Sequence, residues 1–299
     1  MSVCRLGLDV GTYTLIRASR GETANEVKCK REINAFLKIP LENRFTYNAL
    51  KASGKVKLVE RDGMGYAIGE SAVNLAYTLG AELSRPMKDG TLNPQESEAF
   101  EIMKAVIHSL IGELKADKGL VYYSVPADAV NAKTNAGFHT QVLKDIFAAY
   151  NFKERRVDAF PINEGLALVF AELADKSFSG LGISWGGGMR NVCISMYSQP
   201  ALQFSIVNSG DWIDEQSARA ANVPVVVVNQ EKTKLDLNKT ATTPLERALH
   251  ASYRILVDDT MTQLRDNLVR ANLKIRPENP FDIVLGGGVV SPPRIVTGK

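Results

Sequence analysis

The sequence predicts an α/β protein made of two repeated halves, each a sheet with helices packed on it. Three observations carry that prediction. Strand-like apolar runs alternate with helix-period segments along the chain. "LGLDVG" (6–11) superposes on "LGISWG" (181–186), with Leu8 over Ile183 and Gly11 over Gly186. Three predicted strands end in glycine, at Gly11, at Gly186 to Gly188 and at Gly286 to Gly288. Self-similarity of this kind marks a duplicated unit.

Taken in order, "VCRLGLDVG" reads as a buried strand and "TYTLIRASR" as its hairpin partner. Residues 26 to 70 mix short strand signals with loops, and a hairpin turns at Asp62-Gly63. A helix is expected from Asn93, with Pro94 at its first position and Glu96 closing a capping box. Phe100, Met103, Val106, Ile107, Leu110, Ile111 and Leu114 follow at helical spacing. The strand "GLVYYSVP", a helix through "HTQVLKDIFAAY", a strand at "RRVDAF" and a helix over 164–174 complete the first round. The pattern then restarts with three strands, "GLGISWGGG", "RNVCISMY" and "LQFSIVNSG". A helix over 211–220 and a polar segment over 229–243 come next. Thr243-Pro244-Leu245-Glu246 opens a long helix to about Ala271, and "PFDIVLGGG" is the last strand. The halves are expected at 1–160, with a small subdomain inserted over about 30–92, and at 161–299, with an insertion over about 211–271.

Composition narrows the function. The 299 residues, 45% hydrophobic and 23% charged, suffice for two cores, because one core seldom grows past about 250–300 residues. The net charge of +3 is small and the basic residues are interleaved with acids, so direct nucleic-acid binding is not expected. Cys4, Cys29 and Cys193 have no paired spacing, and no H-x-x-x-H or C-x-x-C occurs, which argues against disulfides and structural zinc. "VPVVVV" (223–228) is far shorter than the roughly 20 residues of a membrane span. No signal-peptide pattern opens the chain, so a cytoplasmic protein is expected.

A glycine triplet after a strand serves either a tight hairpin or the close approach of another group. Three such ends within a two-fold repeat favour the second, since backbone N–H groups in these turns form anion-binding concavities. Neither a P-loop nor G-x-G-x-x-G is present. Two halves of this type are expected to face each other with their glycine turns pointing into the cleft between them, and phosphate is the common guest of such turns.

At these residues the chain resembles the actin-like ATPases. Asp9-Val10-Gly11-Thr12 matches D-x-G-[ST] of their first phosphate loop, and Ser184 to Gly188 matches D-x-G-G-G of the second. Gly286 to Gly288 matches the late strand that meets adenosine, and "INEGLA" (162–167) matches the connecting segment. "RPMKDG", "SGDWIDE" and "QEKTKLDL" further resemble the bacterial, MreB-like branch. The resemblance covers nearly the whole chain and implies an actin-like fold of two RNase H-like halves binding ATP or ADP with Mg²⁺. Asp9 would hold the metal through its waters, and Gly11, Thr12 and Tyr13 would contact phosphates. Gly186, Gly187 and Gly188 would clamp them, and Glu164 would orient the attacking water. Glu231 and Lys234 would contact ribose and adenine, with Gly210, Gly286, Gly287 and Gly288 giving the purine a flat surface. Positioning and charge neutralisation supply most of phosphoryl-transfer catalysis, so these residue types suit it.

The chain departs from the family where the repeat lays Ser184 over Asp9. A serine is uncharged and is no base near pH 7, and a loss of about 10²–10³ in hydrolysis rate would follow from one missing transition-state contact. Arg190 is expected to point outward from its strand. Only eleven residues follow Gly288, so the last part of the fold is expected to be shortened. Phe45 and Tyr47 are expected on a packed strand, and membrane contact only indirectly. Asp211 and Asp214 read as helix caps, and His108 and Trp212 as packing. The expected function is a filament-forming, ATP-binding cytoskeletal protein with slow or impaired hydrolysis, associating with itself and with a further protein partner. The alternatives are a non-filamentous adaptor that binds one protein tail, or a small-molecule kinase of the same superfamily.

Overall fold

The computed structural model describes residues 2–23, 26–41, 44–112, 116–149, 156–273 and 281–290. Two compact units emerge, Met1–Ser124 with Gly137–Pro161, and Val125–Ala136 with Ile162–Lys299.

The first unit opens with β1 (Val3–Val10), β2 (Thr14–Arg20) and β3 (Val27–Ile33), followed by β4 (Phe36–Pro40) and α1 (Arg44–Ser53). Next come β5 (Leu58–Arg61), β6 (Met64–Ile68), α2 (Glu70–Leu79), β7 (Met87–Lys88), β8 (Thr91–Leu92) and α3 (Ala99–Ile111). β9 (Lys118–Val125), α4 (Ala136–Ala148) and β10 (Arg156–Asn163) follow. A five-stranded sheet runs β10-β9-β1-β2-β3, with β1 antiparallel to β2 and parallel to β9. Alternate residues of β1 face the core: Leu6, Leu8 and Val10 are buried with Ile102, Met103, Val106 and Ile107 of α3. Tyr123 of β9 packs on Phe147 of α4, ring centroids 4.7 Å apart.

Three expectations change here. The helix expected at Asn93 begins at Ala99. The Asn93 side chain instead accepts from the Gln95 N–H at 3.0 Å, a local turn that competes with helix. Leu114 lies outside the described residues. Phe45 and Tyr47 stand on helix α1, and not on a strand. Spacing by two reads as one face of a strand, but on a helix it sends the two residues in different directions. Phe45 is exposed while Tyr47 is buried in one core cluster with Leu37, Leu41 and Ala72. α2 was also missed, because its short alanine-rich face lacks a strong period. The three-stranded sheet β4-β6-β5 carries both helices. Glu32, buried at the end of β3, ties this layer down by accepting from the Glu70 N–H (3.1 Å) and pairing with Lys57.

The second unit begins with α5 (Glu164–Glu172), β11 (Gly180–Trp185), β12 (Met189–Met196) and β13 (Gln199–Val207). α6 (Gly210–Ala221), α7 (Val225–Lys232), α8 (Pro244–Arg270) and β14 (Ile283–Gly286) complete it. Its sheet runs β13-β12-β11-β14, and β11 repeats β1, antiparallel to β12 and parallel to β14. α5 lies directly on β11: a Cβ on Gly165 would sit 2.8 Å from the Gly182 oxygen, so two bare main chains meet there. Asn131, from the segment 125–136, satisfies both main-chain groups of Val207, at 2.9 and 3.1 Å. The four valines after Pro224 open helix α7; Val228 sits in the core, while Val225, Val226 and Val227 are exposed. The predicted capping box at Thr243 and Glu246 is present.

The duplication holds at the level of single residues. Val10 pairs with Leu15 and Trp185 with Arg190, so each hairpin closes through four residues, 11–14 and 186–189. Arg190 thus occupies the place of the fully buried Leu15 and, contrary to expectation, is itself fully buried. Its guanidinium donates to the Leu256 carbonyl (2.9 Å), Thr260 Oγ1 (2.5 Å) and the Asp259 carboxylate (2.6 Å). Burial lowers its pKa, and Asp259 opposes the shift. A charge can stay inside only when paired and hydrogen-bonded in this way.

His139 of α4 is completely buried, and neither ring nitrogen has a partner among the described residues. Burial pulls its pKa down to about 4 from 6.5. The unfolded chain therefore binds the extra proton between those values, and stability falls as pH drops from 6.5 towards 4. The slope contributed is at most about 1.4 kcal/mol per pH unit. Urea midpoints measured from pH 7 to 4 are expected to fall more steeply for the wild type than for His139→Leu.

Candidate functional site

In the first unit the turn 11–14 is tight: a Cβ on Gly11 would lie 2.6 Å from the Thr14 oxygen. Asp9 stands at the end of β1 beside Ser124 of β9. The Ser124 hydroxyl accepts the Val10 N–H (2.8 Å) and donates to Asp9 Oδ1 (2.9 Å). Asp9 keeps surface in solvent, yet the protein crowding around it raises its pKa, with the Ser124 hydrogen bond opposing. A carboxylate shifted this way gains from a cation beside it. Thr12 is buried, and Tyr13 is exposed with the Arg85 guanidinium 4.7 Å from its ring centre.

In the second unit three glycine-bearing segments converge. The turn after β11 folds back through Gly186 N–H to the Met189 carbonyl at 2.8 Å. The first N–H groups of α6 then dock on it, Gly210 to the Gly186 carbonyl (3.1 Å) and Asp211 to the Gly187 carbonyl (2.8 Å). Ser209 Oγ adds a bond to the Gly186 carbonyl at 2.6 Å. Two of the orphan donors of the α6 N-terminus are thereby satisfied by main chain. Gly286 pairs with Ser184, and Gly287, at φ +100°, lies against the Trp185 main chain where no Cβ fits. A Cβ on Gly210 would meet Val289 at 2.9 Å.

Glu164 begins α5 behind its N-cap Asn163, whose side chain accepts from Leu166 N–H. The Ser184 hydroxyl donates to Glu164 Oε2 at 3.0 Å. The residue that departs from the family pattern therefore touches the carboxylate expected to orient water.

Glu231 and Lys234 pair with each other at 2.8 Å, both exposed. They line a hollow of about 300 Å³ with Asp236, Lys239, Glu246 and His250. The α7 side chain that reaches Gly210 is Lys232, whose Nζ lies 3.5 Å from the Gly210 carbonyl and 2.5 Å from Asp214 Oδ1. Asp214 is buried in this pair and does not cap α6. Tyr253 joins from α8: burial raises its pKa, Asp214 adds to that, and its hydroxyl donates to the Val289 carbonyl at 3.2 Å. Lys232, Tyr253 and Ser124 have no signature in the sequence; they were hidden behind the neighbouring motif residues.

The sequence profile of the volactin family matches residues 4–295. The chain belongs to the volactin family. No curated protein matches this volactin in sequence. Among solved structures, it is similar to the MamK double helical filament, with 16% identity, 96% of this chain and 86% of that chain covered, and a TM-score of 0.64. It is likewise similar to MreB5 of Spiroplasma citri bound to AMPPNP, with 13% identity, 96% and 85% covered, and a TM-score of 0.61. The apo pSK41 ParM protein aligns with 11% identity, 96% and 86% covered, and a TM-score of 0.54. The fold of this volactin is therefore that of the actin-like ATPases.

Among the described residues no group of three or more His, Cys, Asp or Glu side chains could hold a metal by itself. One carboxylate beside a glycine turn fits Mg²⁺ carried largely by phosphates and water.

Lys232→Ala would remove the ion-pair partner of the buried Asp214, which is expected to cost about 3–5 kcal/mol. Lys234→Ala removes an exposed partner and is expected to change stability by less than about 1 kcal/mol. Chemical denaturation of the two variants checks the difference.

Proposed function

We propose that this volactin is an adenine-nucleotide-binding actin that assembles into filaments and hydrolyses ATP slowly. The observation that carries this reading is the pair of equivalent hairpin turns, one preceded by Asp9 and the other by Ser184 bonded to Glu164. Gly11, Thr12 and Tyr13 on one turn, and Gly186 to Gly188 on the other, are the proposed phosphate contacts. Gly287 and Gly288 are exposed and are the proposed surface for the base, with Gly210, buried against Val289, and Gly286, against Leu168, setting the close packing behind them; Glu231 and Lys234 are the proposed contacts to sugar and base. Support also comes from the fold it shares with MamK, a filament in one solved structure, and with MreB5, bound to AMPPNP in another.

Bound Mg²⁺ would neutralise phosphate charge. Asp9 is the proposed group facing its water shell. Glu164 is the proposed orienter of the attacking water, and Ser184 shapes what it can do. A serine donates a hydrogen bond to the carboxylate, whereas a second carboxylate would raise the proton affinity of both. Glu164 here keeps a hydrogen-bonded oxygen committed to Ser184, and position 184 adds no negative charge that would help hold a metal shell.

Assembly is then expected to follow nucleotide binding and not hydrolysis. Pelleting and negative-stain microscopy should show filaments with Mg-ATP and equally with Mg-AMPPNP. Particles that stay monomeric in both would favour an adaptor. Phosphate release should be slow in the wild type and rise in Ser184→Asp, by up to about 10²–10³. Fast release by the wild type would overturn the role given to Ser184.

A further inference from the structure

The turn 11–14 is held from two sides by groups outside the motif. Asn34 follows β3 and has no exposed surface. Its main-chain N–H donates to the Tyr13 carbonyl at 2.9 Å, and its side-chain Nδ2 donates to the Gly11 carbonyl at 3.0 Å. One buried residue therefore fixes two carbonyls of a four-residue turn. From the other side, the Gly90 N–H donates to Thr12 Oγ1 at 3.1 Å. Gly90 sits in the β7–β8 turn, where Asp89 and Gly90 have φ of 48° and 75°, the two positive values of a type I′ hairpin.

Each contact has a directional consequence. In a trans peptide the C=O and N–H point opposite ways, so turning the Gly11 carbonyl to Asn34 sends the Thr12 N–H to the other side. A hydroxyl has one proton to give and two lone pairs to accept with. The Gly90 N–H occupies a lone pair of Thr12 Oγ1, which leaves the hydroxyl proton to be directed elsewhere as a donor. The Asn34 amide is also fixed in orientation, since reversing it would set its oxygen against the Gly11 carbonyl. Its oxygen pays for that orientation, being buried without a partner among the described residues.

We infer that Asn34 and the Lys88–Thr91 turn are positioning groups that preset the Thr12 N–H and O–H as donors to a phosphate. This rests on the nucleotide reading above. Neither group needs to touch the ligand. Each aligns a group that does.

The test uses the full chain and measures Kd for Mg-ATP and for adenosine in wild type, Asn34→Asp, Thr12→Val and Thr12→Ser. Amide exchange at Gly90 is followed without nucleotide. Asn34→Asp keeps size but sets a carboxylate oxygen against the Gly11 carbonyl. Thr12→Val removes the hydroxyl and Thr12→Ser retains it. Asn34→Asp and Thr12→Val are expected to weaken Mg-ATP about 10-fold or more, the worth of one hydrogen bond to a charged group. Adenosine affinity should stay unchanged, Thr12→Ser should match wild type, and Gly90 should exchange faster in Thr12→Val. Unchanged Mg-ATP affinity in Asn34→Asp and Thr12→Val, or equal weakening of ATP and adenosine, overturns the inference. If wild type binds neither ligand, the nucleotide reading fails and the inference with it, whereas Gly90 exchange still reports whether the latch exists.

Discussion

The second unit depends on three stretches of main chain meeting with no side chain between them. The turn after β11 presents carbonyls of Gly186 and Gly187, and the first two N–H groups of α6 close on them at 3.1 and 2.8 Å. Gly287 comes against the Trp185 main chain from the β14 side. Any Cβ at Gly210 or Gly287 would push these elements apart, so the glycines are required by the fold before any ligand is considered. The same closeness leaves a floor of peptide with Gly287 and Gly288 exposed, which on the proposed nucleotide reading would receive a flat base and phosphate oxygens. The tight hairpin and the proposed ligand surface would then be one feature.

Charged residues brace this floor from beneath. Lys232 and Asp214 link α7 to α6 below Gly210, and Arg190 links the strand after the glycine turn to the main chain of α8. Buried ion pairs contribute little net stability, because desolvation offsets their attraction. What they supply is geometry: the Arg190 guanidinium holds three partners on α8, Leu256, Asp259 and Thr260, and a leucine there could hold none of them. The first unit meets the same need with neutral groups, Leu15 in the core and Ser124 beside Asp9. The two halves share a topology and differ in what holds their turns.

The repeat, the hairpin that opens each half and the capped helix α8 were legible because each is local. A hairpin, an alternating strand and a capping box are written in consecutive residues. The insertion between β3 and α3 was less legible, since α1 and α2 are short and take their stability from the sheet β4-β6-β5. Asn93-Pro94 carried a sound helix-start signal that the β7–β8 hairpin and an Asx turn displaced. Of the proposed site, Asp9, Glu164 and the glycines were readable from motifs. Lys232, Tyr253 and Ser124 were not, because their partners lie 18, 36 and 115 residues away in sequence. Arg190 was misplaced for a related reason: an arginine on a strand reads as exposed until Asp259 and Thr260 arrive 69 and 70 residues later to pair with it.

Photolabelling with 8-azido-ATP, followed by peptide mapping, tests the proposed base site most directly. The azide sits on the purine, so the label reports what the base touches. Label displaced by ATP is expected on the peptides that contain Gly210 or Gly286 to Gly288. Label confined to peptides that contain none of Gly210, Glu231, Lys234 or Gly286 to Gly288 would contradict the proposed placement of the nucleotide on the glycine floor.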